Sequence, residues 1–224
     1  MSHWITMATT HGPMNGWLAQ PDDRPVGGIV VVHEMFGVNT DMCRFADRYA
    51  ADGYLTVVPA LFDNIRREVE LDYAPGDHQL GNELTLQLGF ETATELVATA
   101  ADAIGHAGDI AIIGYGWGGK IALHAAQTLS TPCVIYCGAC DPSRLAEAVK
   151  IPTLVHCSEF DPQFSSEEWR TFERDSPGSL VRSYPAGHAF HREGDPLHYH
   201  PESASRAFDR TRIFLREHVH GVCD

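Results

Sequence analysis

The sequence predicts an α/β fold in which a mostly parallel central sheet carries helices on both faces and is led in by an N-terminal antiparallel hairpin. Strand-length apolar stretches alternate with helix-length stretches, and Gly, Pro, Asn or Asp marks each junction. One stretch, Gly28-Ile29-Val30-Val31-Val32, is apolar at every position, as expected of a parallel strand covered on both sides. Repeated strand–helix–strand units close through right-handed crossovers, which lay the strands parallel and put helices on both faces. The 224 residues suit one domain spanning 1–224, long enough for a sizeable core.

Residues 4–8 and 15–19 form the two arms of the hairpin, joined through His11-Gly12-Pro13. The central strand 28–32 runs into a loop, 33–39. Residues 41–51 place Phe45, Tyr49 and Ala50 at helical spacing and end at Gly53, a C′ position. A strand at 54–58 is stopped by Pro59. Residues 62–82 mix charge, Pro and Gly without a period and are expected to be a long loop or lid. One helix is expected over 83–104, a buried strand over 109–113 and a helix over 117–129. Strands at 133–136, 153–157 and 180–184 alternate with helices at 143–149 and 165–174, and an amphipathic helix, 202–218, closes the chain.

Charge and cysteine usage narrow the function classes. Sixteen Lys and Arg stand against 30 Asp and Glu, a net charge of −14, which phosphate backbones and anionic lipid surfaces repel. Nucleic-acid and membrane partners are therefore not expected. The apolar runs fall far short of the roughly 20 residues a transmembrane helix needs. The N-terminus lacks a basic segment followed by an apolar stretch, so a cytoplasmic location is expected. Six cysteines scattered over this length fit reduced, buried thiols.

The segment Gly114-Tyr115-Gly116-Trp117-Gly118-Gly119, set between a buried strand and a helix, has the outline of a nucleophile elbow. Its outer glycines let strand and helix approach closely, and its middle residue sits on a sharp turn. That middle residue is Gly116, which carries no nucleophile. Asp161 and His188 each follow a strand, in the chain order of a hydrolase constellation, and an imidazole held by a carboxylate can act as a base. The loop His33-Glu34-Met35-Phe36-Gly37 follows the central strand. There the Met35 N–H can serve an oxyanion hole together with that of Trp117, the residue after the elbow.

Taken together, His33-Glu34-Met35-Phe36-Gly37-Val38-Asn39, the elbow, Asp161 and Gly187-His188-Ala189-Phe190 with Arg192 resemble the dienelactone hydrolase family of α/β-hydrolases over most of the chain. The resemblance implies that fold and the opening of lactones or esters by a Cys nucleophile with Asp and His. It also implies a Glu, here Glu34, that governs the thiol's protonation, and an Arg, here Arg192, that holds a substrate carboxylate. The sequence departs from the family at two points. The Cys position is Gly116, and no Arg lies between Tyr73 and Phe90, where the family has a second carboxylate-binding Arg.

Three readings of the glycine follow. In the first, the protein is an enzyme without its own nucleophile: His188, oriented by Asp161, activates water or abstracts a proton in the vacated space, and Glu34 is an auxiliary acid or base. In the second it is a non-catalytic ligand-binding pseudoenzyme. In the third it is a Cys-to-Gly inactivated variant of a thiol enzyme. The expected partner is a small-molecule substrate, neutral or monoanionic, bound with help from Arg192, Phe36 and Tyr115, with no cofactor or metal and a monomeric or homodimeric state.

Other residues have plainer explanations. Cys133, Cys137 and Cys140 share the spacing of some iron–sulfur sites, but Cys133 reads as part of a buried strand. His188, His191, His198 and His200 could suggest zinc, without an H-E-x-x-H pattern to support it. His33 and Glu34 could be a polar pair closing a strand, and Arg192 a surface ion-pair partner. Cys43, Cys137 and Cys157 lack the elbow context of a nucleophile.

Overall fold

The computed structural model describes residues 1–138, 149–162 and 166–222. It contains an eight-stranded sheet in the order β1-β2-β4-β3-β5-β6-β7-β8. The hairpin strands β1 (Ser2–Thr9) and β2 (Gly12–Ala19) pair antiparallel, and β2 joins β4 (Leu55–Pro59) antiparallel. From β4 through β3 (Gly28–Val32), β5 (Ile110–Tyr115), β6 (Cys133–Tyr136), β7 (Thr153–Phe160) and β8 (Ser179–Gly187) all pairing is parallel.

The apolar run of β3 has the physical meaning expected of it. All five residues are buried, and period-two alternation sends their side chains to opposite cores. Ile29 and Val31 join a cluster with Phe45 and Tyr49 of α1 (Thr40–Ala51) and Phe214 and Leu215 of α6 (Pro201–His218). Val30 and Val32 join another with Leu96 and Val97 of α3 (Phe90–Ile104) and Ile121 and Ala125 of α4 (Trp117–Leu129). Trp169 and Phe172 of α5 (Ser166–Asp175) belong to that second cluster. Burying a side chain of this size contributes roughly 1.5–3 kcal/mol, so the two clusters fix the sheet between its helices.

Local signals set the helix ends. Asn39 caps α1 by accepting from the Met42 N–H at 3.2 Å, and Gly53, at φ 99°, turns the chain out of it. Pro201 opens α6, where His200 accepts from the Ser203 N–H. None of the described helices is long and apolar enough to cross a membrane.

Two expectations need correction. Residues 62–82 are not loop throughout, because α2 (Pro75–Leu88) begins within them. Its proline occupies the first turn, where the missing N–H costs nothing. Its Gly81 blurs the helical period for a packing reason: a Cβ there would lie 2.6 Å from the Met35 carbonyl oxygen. Nor is 83–104 one helix, since Gly89, at φ 77°, separates α2 from α3. The expected helix at 143–149 lies, except for its last residue, outside the described residues.

Residues 62–74 are stitched to the loop after β3. The Val38 N–H donates to the Val69 carbonyl at 3.2 Å and the Leu71 N–H to the Phe36 carbonyl at 2.9 Å. Glu34, Gly116, Asp161 and His188 all follow the C-terminal ends of parallel strands, the edge where open α/β sheets place their ligands.

Candidate active site

Gly116 stands between β5 and α4 at φ 48°, ψ −120°. Its N–H donates to the Tyr136 carbonyl at 2.9 Å, and its carbonyl accepts from the Gly119 N–H at 3.0 Å, so both ends of the turn are pinned. The neighbouring glycines allow backbones to touch. A Cβ on Gly118 would lie 2.5 Å from the Val32 and His33 carbonyl oxygens, and one on Gly119 would lie 2.9 Å from the Gly138 Cα. Trp117 is the first residue of α4, so its N–H has no partner within the helix. Trp117 and Met35 are both partly exposed, and the Trp117 ring stacks on Phe62 at 5.8 Å.

The dyad follows from strand pairing. β7 and β8 run parallel with Phe160 opposite Gly187, and Asp161 and His188 are the next residue on each strand. A register shift between Ser158 and Phe160 adjusts the approach. His188 Nδ1 lies 2.9 Å from Asp161 Oδ2, and Ser158 Oγ donates to the same oxygen at 3.2 Å. A carboxylate only accepts, so Nδ1 carries the hydrogen and Nε2 is left with a lone pair. The Asp161 side chain is 3% exposed against 22% for His188, a buried orienter behind an accessible imidazole.

Glu34 corrects the picture of a vacated space. A Cβ on Gly116 would lie 2.5 Å from Glu34 Oε1 and 3.3 Å from its Cδ, so the carboxylate stands at the elbow itself. Arg192 grips it along both edges, Nε to Oε2 and Nη2 to Oε1, each at 2.8 Å. Burial pushes the Glu34 carboxyl up, but the Arg192 guanidinium and the neighbouring His191 together more than reverse this and hold it well below the usual carboxylate range. His33 is structural: its Nε2 accepts from the Leu61 N–H, so Nδ1 carries the hydrogen and donates to the Glu34 carbonyl at 2.6 Å. Burial lowers the imidazole to about 4, which keeps it neutral.

Three expected binding residues stand elsewhere than foreseen. Arg192 is no surface partner, being 4% exposed, and its guanidinium is occupied by Glu34, with Asp195 3.7 Å away. Its Nε and Nη2 donors are therefore already taken by a carboxylate of the chain itself. Phe36 has no exposure and packs edge-on against Tyr73 and His78 beneath that guanidinium. Tyr115 faces the core, stacked between Phe45 and Tyr136 at 4.7 Å each, with its hydroxyl 3.0 Å from that of Tyr49.

The histidines proposed for zinc have separate roles: His188 meets Asp161, His198 meets Asp195 at 2.7 Å, and His200 caps α6. Among the described residues no group of three or more His, Cys, Asp or Glu is placed to hold a metal ion. Cys133 lies in β6, and Cys140 falls outside the described residues. Burial raises the thiols of Cys43 and Cys137 to about 12 and that of Cys157 to about 11, unsuited to nucleophilic attack.

Two residues stand beside Glu34 and Arg192 in places that the sequence does not assign them. His191 is fully buried, and both its ring nitrogens lack a hydrogen-bond partner; Nε2 lies 3.8 Å from Glu34 Oε2. Tyr73 lays its ring 5.0 Å from the Arg192 guanidinium and donates its hydroxyl to Asp41 at 2.7 Å. The sequence marks His191 only as a candidate zinc ligand, and Tyr73 lies within the segment 62–82 that shows no period.

Residues 14–219 match the model of the dienelactone hydrolase family. The chain is 31% identical over 202 residues to a carboxymethylenebutenolidase of a Pseudomonas species, covering 84% of this chain and 83% of that protein. Its fold is similar to a dienelactone hydrolase of Anabaena variabilis, with a TM-score of 0.76 at 16% identity over 98% of this chain and 99% of the other. A dienelactone hydrolase-like promiscuous phosphotriesterase from metagenomic libraries superposes with a TM-score of 0.75 at 20% identity, over 97% and 99% of the two chains.

Proposed function

The chain belongs to the dienelactone hydrolase family of hydrolases, and on that premise we propose that it cleaves a small lactone, ester or related carbonyl compound without a thiol of its own. The observation that carries this reading is the 2.9 Å contact of His188 Nδ1 with Asp161 beside an elbow occupied by Gly116. His188 Nε2 takes a proton from water, the water attacks the carbonyl carbon, and the backbone N–H groups of Met35 and Trp117 stabilise the oxyanion. Because Glu34 already neutralises Arg192 and the chain carries a net charge of −14, a neutral substrate suits the site better than an anionic one.

The buried Glu34–Arg192 pair at the elbow favours a second reading, a ligand-binding protein that does not turn over. A panel of lactones and aryl esters separates the two. Hydrolysis by the wild type that is lost in His188→Ala supports the enzyme, and equal rates in both proteins overturn it.

A further inference from the structure

We infer that Glu34 replaces the missing elbow side chain as the covalent nucleophile, with an acyl compound bearing a weakly basic leaving group, such as an enol or aryl ester, as substrate. The inference rests on the hydrolase reading above and replaces its direct attack of water on the substrate with attack by Glu34, water entering in a second step.

Glu34 Oε1 lies 2.5 Å from where a Cβ on Gly116 would be, so a carboxylate oxygen reaches the region into which an elbow side chain projects. A larger residue at 116 and this position of Glu34 exclude one another. Arg192 aligns the carboxylate through both oxygens, and Glu34 is held ionised, so it needs no base to activate it. The loop after β8 supplies His188 together with His191 and Arg192, so the base and the two groups beside the carboxylate share one turn. Burial raises the thiols of Cys43 and Cys137 to about 12 and that of Cys157 to about 11, so carboxylate attack does not compete with a poised thiol at these three positions.

The step balances without a co-reactant. Oε1 bonds to the acyl carbon, the tetrahedral oxyanion collapses, and the carbon–oxygen bond to the leaving group breaks, releasing the enolate or aryl oxide with its electron pair. A mixed anhydride remains on Glu34. His188 Nε2 then takes a proton from water, whose oxygen adds to Cδ. That carbon lies 3.3 Å from the would-be Cβ, on the side that Gly116 leaves without a side chain. Arg192 Nε, on Oε2, stabilises the second oxyanion. Collapse expels the product carboxylate and leaves Glu34 carrying one water oxygen, and the Glu34 carboxyl and His188 return their protons to solvent. A carboxylate is a poor displacer of strongly basic alkoxides, so alkyl esters are excluded. The 2% exposure of Glu34 restricts the acyl group to a small one.

The test is a single turnover of p-nitrophenyl acetate by excess wild-type protein in H₂¹⁸O, followed by mass spectrometry of the peptide containing Glu34 and of the acetate. One ¹⁸O in the Glu34 side chain and unlabelled acetate are expected. Labelled acetate with unlabelled Glu34, and no hydroxamate on the Glu34 peptide when the turnover is run with hydroxylamine, overturns the covalent step while leaving direct water attack by His188 intact. Release of p-nitrophenolate no faster than with heat-denatured protein overturns both. In a parallel series, ethyl acetate and γ-butyrolactone are expected to be turned over at least a hundredfold more slowly than p-nitrophenyl acetate relative to their hydroxide-catalysed rates, and equal ratios count against the carboxylate.

Discussion

Glu34 and Arg192 are 158 positions apart in the chain and meet in a two-pronged pair, each contact 2.8 Å and both side chains no more than 5% exposed. Such a pair contributes little net stability compared with apolar residues of its size, but breaking it leaves a bare charge in the interior. Arg192→Met and Glu34→Gln are each expected to destabilise the fold by about 3–5 kcal/mol. The double substitution is expected to cost less than the sum, and urea denaturation of all four proteins gives the coupling.

Restoring a thiol at the elbow is expected to fail on its own. In Gly116→Cys the new Cβ meets Glu34 Oε1 and takes up a φ of 48°, a strain of about 1–3 kcal/mol. Thermal melting is expected to show a lower midpoint, and ester turnover is not expected to rise. Gly116→Cys combined with Glu34→Ala relieves the overlap, and recovery of the midpoint toward that of Glu34→Ala alone checks the clash.

Asp161 acts by fixing which nitrogen of His188 carries the hydrogen. In Asp161→Asn the amide can donate to Nδ1 and turn the imidazole to the wrong tautomer, so turnover is expected to fall by roughly 10²–10⁴-fold with an unchanged melting curve. Ser158→Ala, which removes a 3.2 Å contact on the same oxygen, is expected to cost under about tenfold. Steady-state rates with an aryl ester measure both.

His33 gives the fold a dependence on acid. Burial lowers its imidazole from 6.5 to about 4, so the unfolded chain binds the proton more readily than the native state. Stability from this group is fully present above pH 6.5 and is lost as pH falls toward 4, by roughly 3 kcal/mol in total. His156, also buried and lowered by desolvation, acts in the same direction. Urea midpoints between pH 4 and 7.5 are expected to rise and then level off, with a shallower rise in His33→Gln.

Gly81 tests how firmly α2 seats the Met35 loop. Gly81→Ala places a methyl 2.6 Å from the Met35 carbonyl oxygen, and overpacking of this kind costs about 1–3 kcal/mol. A lower melting midpoint accompanied by a raised KM is the expected result.

The parallel core was legible because strands such as 28–32 are apolar on both faces, a pattern few other elements share. The elbow and the strand-end positions of Asp161 and His188 were legible because backbone close approach demands glycine and strand ends place loops. Helix α2 was missed because Pro75 and Gly81, which signal loops locally, serve there as a first-turn residue and a contact point. Side-chain direction was not legible at all. Arg192, Tyr115 and Glu34 owe their orientations to partners 66 or more positions away, Glu34 for Arg192 and Tyr49 for Tyr115, and one-dimensional patterns carry no such information.

The turn at Gly116 is held by Gly114, Gly118, Gly119 and two backbone hydrogen bonds, none of which involves a side chain at 116. The scaffold therefore keeps its shape whatever that residue contributes chemically. Once Glu34 stands in the opening, however, the two positions are no longer independent: a side chain gained at one must be matched by retreat at the other. The elbow glycine and Glu34 thus act as an interlock, making the installation of a thiol a two-step path whose first step alone is unfavourable.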